Sequence, residues 1–155
     1  MAEISKKVAE IAGEYKDVTI GIFGSHSAKE VGMAAKAWGF KTVVVVQKGR
    51  DKLYTKYNRW LYDEVIVLDR FKDMLNEEVQ EKLRELNTIF IPNRSFAVYV
   101  GYDGIEKEFE VPIYGNRFLL RAEERNYEKG QYYLLKKAGV RIPKEFSSPE
   151  EIDRL

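Results

Sequence analysis

The amino-acid sequence predicts an α/β fold in which helices cover a Rossmann-like parallel β-sheet. Short apolar runs alternate along the first part of the chain with segments of helical periodicity, which is typical of parallel strands joined by right-handed crossovers. One run, Thr42 to Val46, is entirely β-branched, as expected of a strand buried on both faces. The only histidine, His26, lies in a glycine-serine turn between a strand-like run and a helical segment. This layout places ligands at the carboxyl edge of such sheets.

The spacing of apolar residues places the individual elements of this sheet. In chain order we predict a helix over residues 1–15, a strand at 18–23, a helix at 28–38, a strand at 42–46, a strand at 64–68, a helix at 77–87 and a strand at 88–91. Ser27 and Asn76 are expected to cap the second and third helices. The second helix is expected to bury Val31, Ala35 and Trp38 on one face.

The pattern changes after residue 100, and a domain boundary is expected between residues 101 and 116. We predict a short helix or strand at 96–99, a strand at 108–111, helices at 117–125 and 128–138, an extended segment at 140–143 and a further helix from residue 148. Division there gives a Rossmann-like domain over residues 1–100 and the opening elements of a second domain over residues 101–155.

Composition and charge exclude several classes of protein. The 155 residues include no cysteine and one histidine, which excludes disulfides, thiolate-metal sites and multi-histidine zinc sites. Lys and Arg number 26 and Asp and Glu 25, so no overall field attracts nucleic acid or an anionic membrane. Because neither a signal peptide nor an apolar run of transmembrane length is evident, we predict a cytoplasmic protein with no nucleic-acid or membrane partner.

The turn from Gly24 to Ser27 is the strongest local signal for a binding site. Backbone N–H groups and the positive end of a helix dipole favour an anion there, and the hydroxyls of Ser25 and Ser27 beside His26 suggest a phosphorylated ligand. An ordinary strand-to-helix turn is the alternative, with Gly24 providing backbone freedom and Ser27 a helix cap. Neither the dinucleotide-binding glycine fingerprint nor a P-loop occurs in the sequence.

Further candidates follow the other strands. Lys48 and Arg50 flank a glycine after the second strand, which suits phosphate contact, although a solvated loop is the more common explanation of such a triplet. Ser95 follows the fourth strand and either caps a helix, which is the default expectation, or donates to a ligand. Arg117 lies at a predicted helix start, where a cation opposes the dipole, so we assign it a role other than helix stability. The carboxylates form no evident acid-base pair or magnesium site, so catalytic residues stay unassigned and no metal ligand is predicted.

Several motifs together resemble one known family. In chain order they are Gly24 to Ser27, Lys48 to Asp51, Glu77 to Asn87, Pro92 with Ser95 and Phe96, Val111 to Arg117, Arg141 to Lys144 and Ser148 to Asp153. Their order and length resemble the N-terminal part of the archaeal formate-dependent purine-biosynthesis ligases (PurP), and the resemblance extends over nearly all of the chain.

The resemblance implies an ATP-grasp ligase, with a Rossmann-like domain at residues 1–100 and the start of the ATP-grasp domain at residues 101–155. Such ligases join formate, activated as formyl phosphate, to 5-aminoimidazole-4-carboxamide ribonucleotide (AICAR). The product is the formamido ribonucleotide FAICAR, the precursor of inosine monophosphate. ATP and Mg²⁺ are the implied cofactors, AICAR and formate the implied substrates, and a homo-oligomer the implied assembly. In family members the residues matching His26 and Ser95 contact the ribonucleotide. The aromatic segment from Tyr54 to Tyr62 is expected to be a packed loop or a subunit contact.

Two departures from the family bear on function. The family motif Pro-His-Gly-Ser-Phe is replaced here by Pro92 to Phe96 with the sequence Pro-Asn-Arg-Ser-Phe, which changes the chemistry and the backbone freedom of the loop. Family members are also longer, and their ATP and magnesium residues lie beyond the point matching Leu155. We therefore expect a fragment that binds ribonucleotide without turnover. The alternatives are a non-catalytic nucleotide-binding or assembly module, and a phosphate-binding regulatory domain unrelated to purines.

Overall fold

A computed structural model of the chain describes residues 2–124, 127–146 and 148–152. The chain forms two compact units, residues 1–120 and 121–155. Four strands lie in the first unit: β1 (Thr19–Phe23), β2 (Lys41–Gln47), β3 (Glu64–Leu68) and β4 (Thr88–Ile91). Its α-helices are α1 (Ala2–Gly13), α2 (Ala28–Ala37), α3 (Glu77–Glu85), α4 (Arg94–Val100) and α5 (Tyr102–Lys107). Shorter helical turns are a π-helical turn at Leu53–Tyr57 and 3-10 turns at Arg59–Leu61, Phe71–Leu75 and Arg117–Glu123.

The four strands form one all-parallel sheet in the order β3-β2-β1-β4. This confirms the predicted Rossmann-like α/β fold. In the centre of the sheet β1 pairs with both β2 and β4, so that Ile22 lies level with Val44 on one side and with Ile91 on the other. Since all strands run the same way, the segments that follow β1, β2 and β4 leave the sheet at one edge.

Strand β2 is buried on both faces, as its unbroken β-branched run predicts. Val43 and Val45 contribute to a core on the side of α3, α4 and α5, while Val44 and Val46 contribute to a smaller core on the side of α2. The first core is aromatic and includes five phenylalanines, Phe23, Phe71, Phe90, Phe96 and Phe109. The second core is built with two buried tyrosines, Tyr54 and Tyr62.

The strand predicted at 108–111, directly after α5, is wrong. These residues form a turn and irregular backbone, and the sheet gains only an isolated parallel bridge between Phe90 and Ile113 among the described residues. Side chains rather than a neighbouring strand satisfy this backbone, because the Gln80 Oε1 accepts from the N–H of Glu110 at 2.6 Å. Residues 101–120 belong to the first unit, and the start of an ATP-grasp domain after residue 100 stays a prediction.

Helix α2 also differs from its predicted packing. Ala28, Gly32 and Ala35 are its buried residues, whereas Trp38 follows the helix with 82% of its surface exposed. Small side chains permit this close approach, since a Cβ on Gly32 would lie 3.2 Å from the Tyr62 ring. The apolar spacing therefore identified the buried face, but the largest residue assigned to it lies outside.

The second unit contains α6 (Gln131–Lys137) and α7 (Pro149–Ile152). A surface ion pair joins Lys136 to Glu145 at 2.7 Å. The predicted helix at 117–125 corresponds to the 3-10 turn that ends at Glu123, and residue 125 lies outside the described residues. Within the described ranges, no helix is both long enough and apolar enough to cross a bilayer.

Candidate functional site

The turn after β1 and the helix after β4 meet at the carboxyl edge of the sheet. The Ser25 hydroxyl donates a hydrogen bond to the Ser95 hydroxyl, with 2.8 Å between the two oxygens, although the residues are 70 positions apart in the chain. Adjacent parallel strands explain the meeting, because β1 and β4 are hydrogen-bonded neighbours and both end at this edge. Ser95 itself is buried and Ser25 is half-buried, so the bond is partly sheltered from water.

Ser95 reaches this position because Asn93, and not Ser95, caps α4. The Asn93 side-chain oxygen accepts from the N–H of Phe96 at 2.9 Å, which is the ordinary N-cap geometry. Ser95 lies one residue inside the helix, so its hydroxyl is available to Ser25. Of the two roles that the sequence suggests for Ser95, the helix cap is therefore excluded.

The Gly24 to Ser27 turn is held by close packing against β2. The N–H of Gly24 donates to the carbonyl of Val45 at 2.8 Å, which continues the parallel pairing by one residue. A Cβ on Gly24 would lie 2.5 Å from the Val46 Cγ1 and 2.8 Å from the Val45 oxygen. Gly24 is not among the glycines with positive φ. The position thus requires glycine for space, and not for the backbone freedom that the sequence suggests.

The first turn of α2 presents unpaired backbone donors beside this loop. The N–H groups of His26, Ser27 and Lys29 have no acceptor in the part of the chain that the structure describes. The predicted side-chain cap by Ser27 is wrong, since its hydroxyl makes no capping bond. The His26 side chain is exposed. Free N–H groups at a helix start carry partial positive charge, which favours an anion.

A cleft of about 500 Å³ opens on the α2 side of the turn. It is lined by the turn itself and by Lys29, Arg50, Leu53, Tyr54, Asn58 and Tyr62. The two tyrosine rings pack with their centroids 5.8 Å apart, and the Tyr62 hydroxyl donates to the Ala28 carbonyl at 3.3 Å. Burial, with smaller contributions from Tyr54 and Glu30, raises the pKa of Tyr62 to about 12. Burial likewise raises the pKa of Tyr54, so both phenols are neutral at physiological pH.

Arg50 and Lys48 point to different places although they are two residues apart. The Arg50 Nη1 donates to the Tyr99 hydroxyl at 3.2 Å, and its guanidinium carbon lies 5.6 Å from the centroid of the Tyr99 ring. Tyr99 is four residues after Ser95, a spacing that puts both on one face of α4. One helix face therefore contacts the turn after β1 and the loop after β2. Lys48 lies 3.7 Å from exposed Asp69 and does not line the cleft.

Arg117 is buried away from this group of residues, at a position where it stabilises the chain. Its guanidinium donates to the carbonyls of Ile105, Phe109 and Val111, at 3.0, 2.6 and 3.4 Å. Burial lowers the pKa of Arg117. These bonds replace strand pairing for the segment after α5, which accounts for a cation at the start of a 3-10 turn. The structure does not bring Arg117 together with His26 and Ser95.

Sequence analysis missed five residues that line the cleft, namely Lys29, Leu53, Tyr54, Asn58 and Tyr62. Lys29 is in the first turn of α2, directly after the turn at His26, so its position in the chain could have placed it near the candidate site. Tyr54 and Tyr62 belong to the aromatic segment that the sequence left open as a packed loop or a subunit contact; both are packed, whereas Tyr57 and Trp60 are exposed. Nothing in the local pattern separates the packed tyrosines from the exposed aromatic residues.

The described residues contain no group of three or more Asp, Glu, His or Cys side chains that could hold a metal ion. The donors at the carboxyl edge are hydroxyls, an imidazole and cations, which suit an anion rather than a divalent cation. The fold and this edge define a Rossmann-like α/β domain with a cationic cleft at the carboxyl ends of its strands. Residues 20–146 match a family described as protein of unknown function (DUF1246), and the chain belongs to that family.

Two relatives are named 5-formaminoimidazole-4-carboxamide-1-(beta)-D-ribofuranosyl 5'-monophosphate synthetase. The one from Methanopyrus kandleri is 51% identical over 152 residues, and the one from Methanocaldococcus jannaschii is 44% identical over 153 residues. The matches cover 96% and 97% of this chain but 41% of each relative. The chain thus spans about two fifths of the length of the curated relatives it matches. It is homologous to the N-terminal part of archaeal PurP, which confirms the resemblance seen in its motifs.

Proposed function

We propose that this chain forms part of the ribonucleotide site of a ligase that formylates AICAR with formate and ATP. Homology to the N-terminal part of the archaeal synthetases supports the substrate class. The observation that carries the proposal is the Ser25–Ser95 hydrogen bond. It joins the two loops that hold His26 and Ser95, the residues expected from the family to contact the ribonucleotide.

In this proposal His26 and Ser95 hold the substrate by hydrogen bonding. The Ser25 hydroxyl already donates to the Ser95 oxygen, so the Ser95 proton is free to be donated to a ligand. The exposed imidazole of His26 offers a donor and an acceptor beside the same pair. Ser27 contributes through its unpaired backbone N–H at the start of α2. Gly24 contributes by allowing the turn to pack closely against β2.

Activation of formate is assigned to the part of the synthetases that this chain does not match. The described residues do not fit ATP with Mg²⁺, because they provide neither a carboxylate cluster nor a P-loop. We therefore propose that the chain alone binds AICAR without turnover. Incubation with AICAR, formate, ATP and Mg²⁺ should release no ADP, and formate-dependent release of ADP would contradict this.

Calorimetric titration of AICAR into the chain tests the binding role. His26→Ala should weaken AICAR binding at least tenfold, and Ser95→Ala about fivefold to tenfold, consistent with the loss of one or two hydrogen bonds. Lys41→Ala is the matched control, because Lys41 is exposed at the amino end of β2. Unchanged affinity in His26→Ala would refute its assignment.

The same titration separates the competing modules. Asn93 and Arg94 differ from the family motif, and Asn93 here caps α4 instead of contacting a ligand. A paralogue that binds another ligand is therefore the alternative to AICAR. Binding of an unrelated phosphorylated metabolite without binding of AICAR would favour the regulatory domain. We also propose a cytoplasmic homo-oligomer with exposed Tyr57 and Trp60 at a subunit contact; a monomer in light scattering would contradict that assembly.

A further inference from the structure

We propose that the cleft between α2 and the π-helical turn binds the 5′-phosphate of the ribonucleotide, with Lys29 and Arg50 as its cationic ligands. The inference rests on the proposed function and divides the site into two ends. The hydroxyl pair of Ser25 and Ser95 lies at one end, and the cleft, which Ser25 also lines, extends from the turn at His26 to Lys29 and Arg50.

The charge of the lining is the first argument. The ionisable groups along the described cleft are His26, Lys29, Arg50 and the two neutral phenols, and no carboxylate lines it. This is unusual for a chain in which acidic and basic residues are nearly equal in number. A cleft whose charged side chains are all positive and whose aromatic walls have a low dielectric constant concentrates anions.

Lys29 forms no ion pair with any residue that the structure describes. Two turns further along the same helix, Lys36 forms a salt bridge with Asp63 at 2.5 Å. No carboxylate within the described ranges pairs with the Lys29 ammonium. A lysine that is left unpaired at the rim of a cleft is suited to a charge-assisted bond with a phosphate oxygen.

The third argument is that Arg50 is already held in place. Only its Nη1 is used, on the Tyr99 hydroxyl, and its other nitrogens have no acceptor among the described residues. A guanidinium fixed on one side and free on the other can bind a phosphate through two N–H groups. Tyr99 is thereby a positioning residue for Arg50, on the same helix face as Ser95.

The dimensions also agree with a ribonucleotide. Ser95, the turn and Arg50 follow β4, β1 and β2, three adjacent strands, so the distance across the site is about 10 Å at about 4.8 Å per strand. That length matches a nucleoside monophosphate from base to phosphate. The cleft volume of about 500 Å³ lies in the range of small-molecule sites, with room for a phosphate and its ribose.

Matched ligands test the assignment. AICAR and its riboside, which lacks the phosphate, are titrated into the chain, into K29Q, into R50Q and into the control K82Q, whose lysine lies on α3. Loss of one charge-assisted bond is expected to weaken AICAR 10- to 100-fold in K29Q and in R50Q. Affinity for the riboside should be unchanged in all variants, and K82Q should resemble the wild type with both ligands.

The outcomes separate this inference from the proposed function. Equal losses for AICAR and the riboside, or no loss in either variant, overturn the phosphate assignment while AICAR binding itself stands. If the wild type binds neither ligand, the proposed function fails, and ribose 5-phosphate becomes the probe. Binding of ribose 5-phosphate that is lost in K29Q would support the phosphate site, and absence of such binding would overturn it.

Discussion

The two faces of the sheet are built from different buried aromatic residues. One face forms a closely packed core, whereas the other carries a cleft. On the α3, α4 and α5 side, phenylalanines pack in a continuous cluster, with the Phe90 ring 4.9 Å from Phe96 and 5.8 Å from Phe109. On the α2 side, the buried aromatic residues are Tyr54 and Tyr62, and a cleft remains beside them. The first face buries polar side chains such as Gln80 and Arg117 in hydrogen bonds to the backbone, whereas the second keeps polar side chains next to an opening.

This difference shows how stability and binding are separated within one unit of 120 residues. Close packing of apolar rings on the first face buries apolar area, which stabilises the fold. A face that also carries phenols, an asparagine and cations cannot pack as closely, and the space left over becomes the candidate site. Three experiments test the difference between the two faces.

The largest expected effect is on the phenylalanine face. Phe90→Ala removes a fully buried ring from the middle of the cluster, and we expect the free energy of unfolding to fall by about 3–5 kcal/mol. Urea denaturation followed by circular dichroism measures the change. Trp38→Ala, at an exposed position, should change stability by no more than about 0.5 kcal/mol. A loss below about 1 kcal/mol for Phe90→Ala would show that this face is not the main core.

An intermediate loss of unfolding free energy is expected at Gly24, the residue that follows β1. Gly24→Ala places a methyl group against Val46 and the Val45 carbonyl, so backbone atoms must shift, at a cost of about 1–3 kcal/mol. The control is Gly13→Ala, because a Cβ there meets nothing within 4 Å and should leave stability unchanged or slightly raised. Equal melting temperatures for the two variants would mean that β1 and β2 do not require the close approach.

The third effect belongs to the tyrosine face and appears only at high pH. Burial raises the pKa of Tyr62 from 10.0 to about 12, so the unfolded chain ionises this phenol before the folded one does. Burial of the neutral phenol therefore contributes on the order of 2 kcal/mol to the free energy of unfolding. This contribution is fully present below pH 10 and is lost between about pH 10 and 12. Tyr62→Phe should reduce the fall in unfolding free energy between pH 9 and pH 11.5. An identical fall in both proteins would show that Tyr62 is not buried as described.

Much of the fold could be predicted because the strands and helices of the sheet are each marked by a local sequence pattern. The β-branched run of β2, the alternation of strands and helices, and the turn at His26 each mark one element with little reference to the rest. Trp38 was misplaced because apolar spacing reports which face is buried without reporting where the packing ends. The expected strand at 108–111 failed for a related reason, since Arg117 and Gln80 supply the partners that a strand would have needed.

The candidate site was predicted less completely. His26, Ser95 and Arg50 follow strand ends, so their common edge follows from parallel topology. Lys29 was readable in principle from its position directly after the turn at His26 but was not singled out. The separate positions of Lys48 and Arg50 follow from contacts with Asp69 and Tyr99, which lie 21 and 49 residues away and leave no local signal.

The sequence by itself determined the class of fold, the homology to the archaeal synthetases and the edge at which polar residues gather. These properties depend on periodicity and on motifs, which are local in the chain. Tertiary structure alone decided that Ser25 bonds to Ser95, that Arg117 is buried on three carbonyls and that Tyr54 and Tyr62 form a wall of a cleft. The first of these contacts depends on the pairing of β1 with β4, which joins segments far apart in the chain. The other two depend on how the segments after α5 and after β2 fold against their own neighbours.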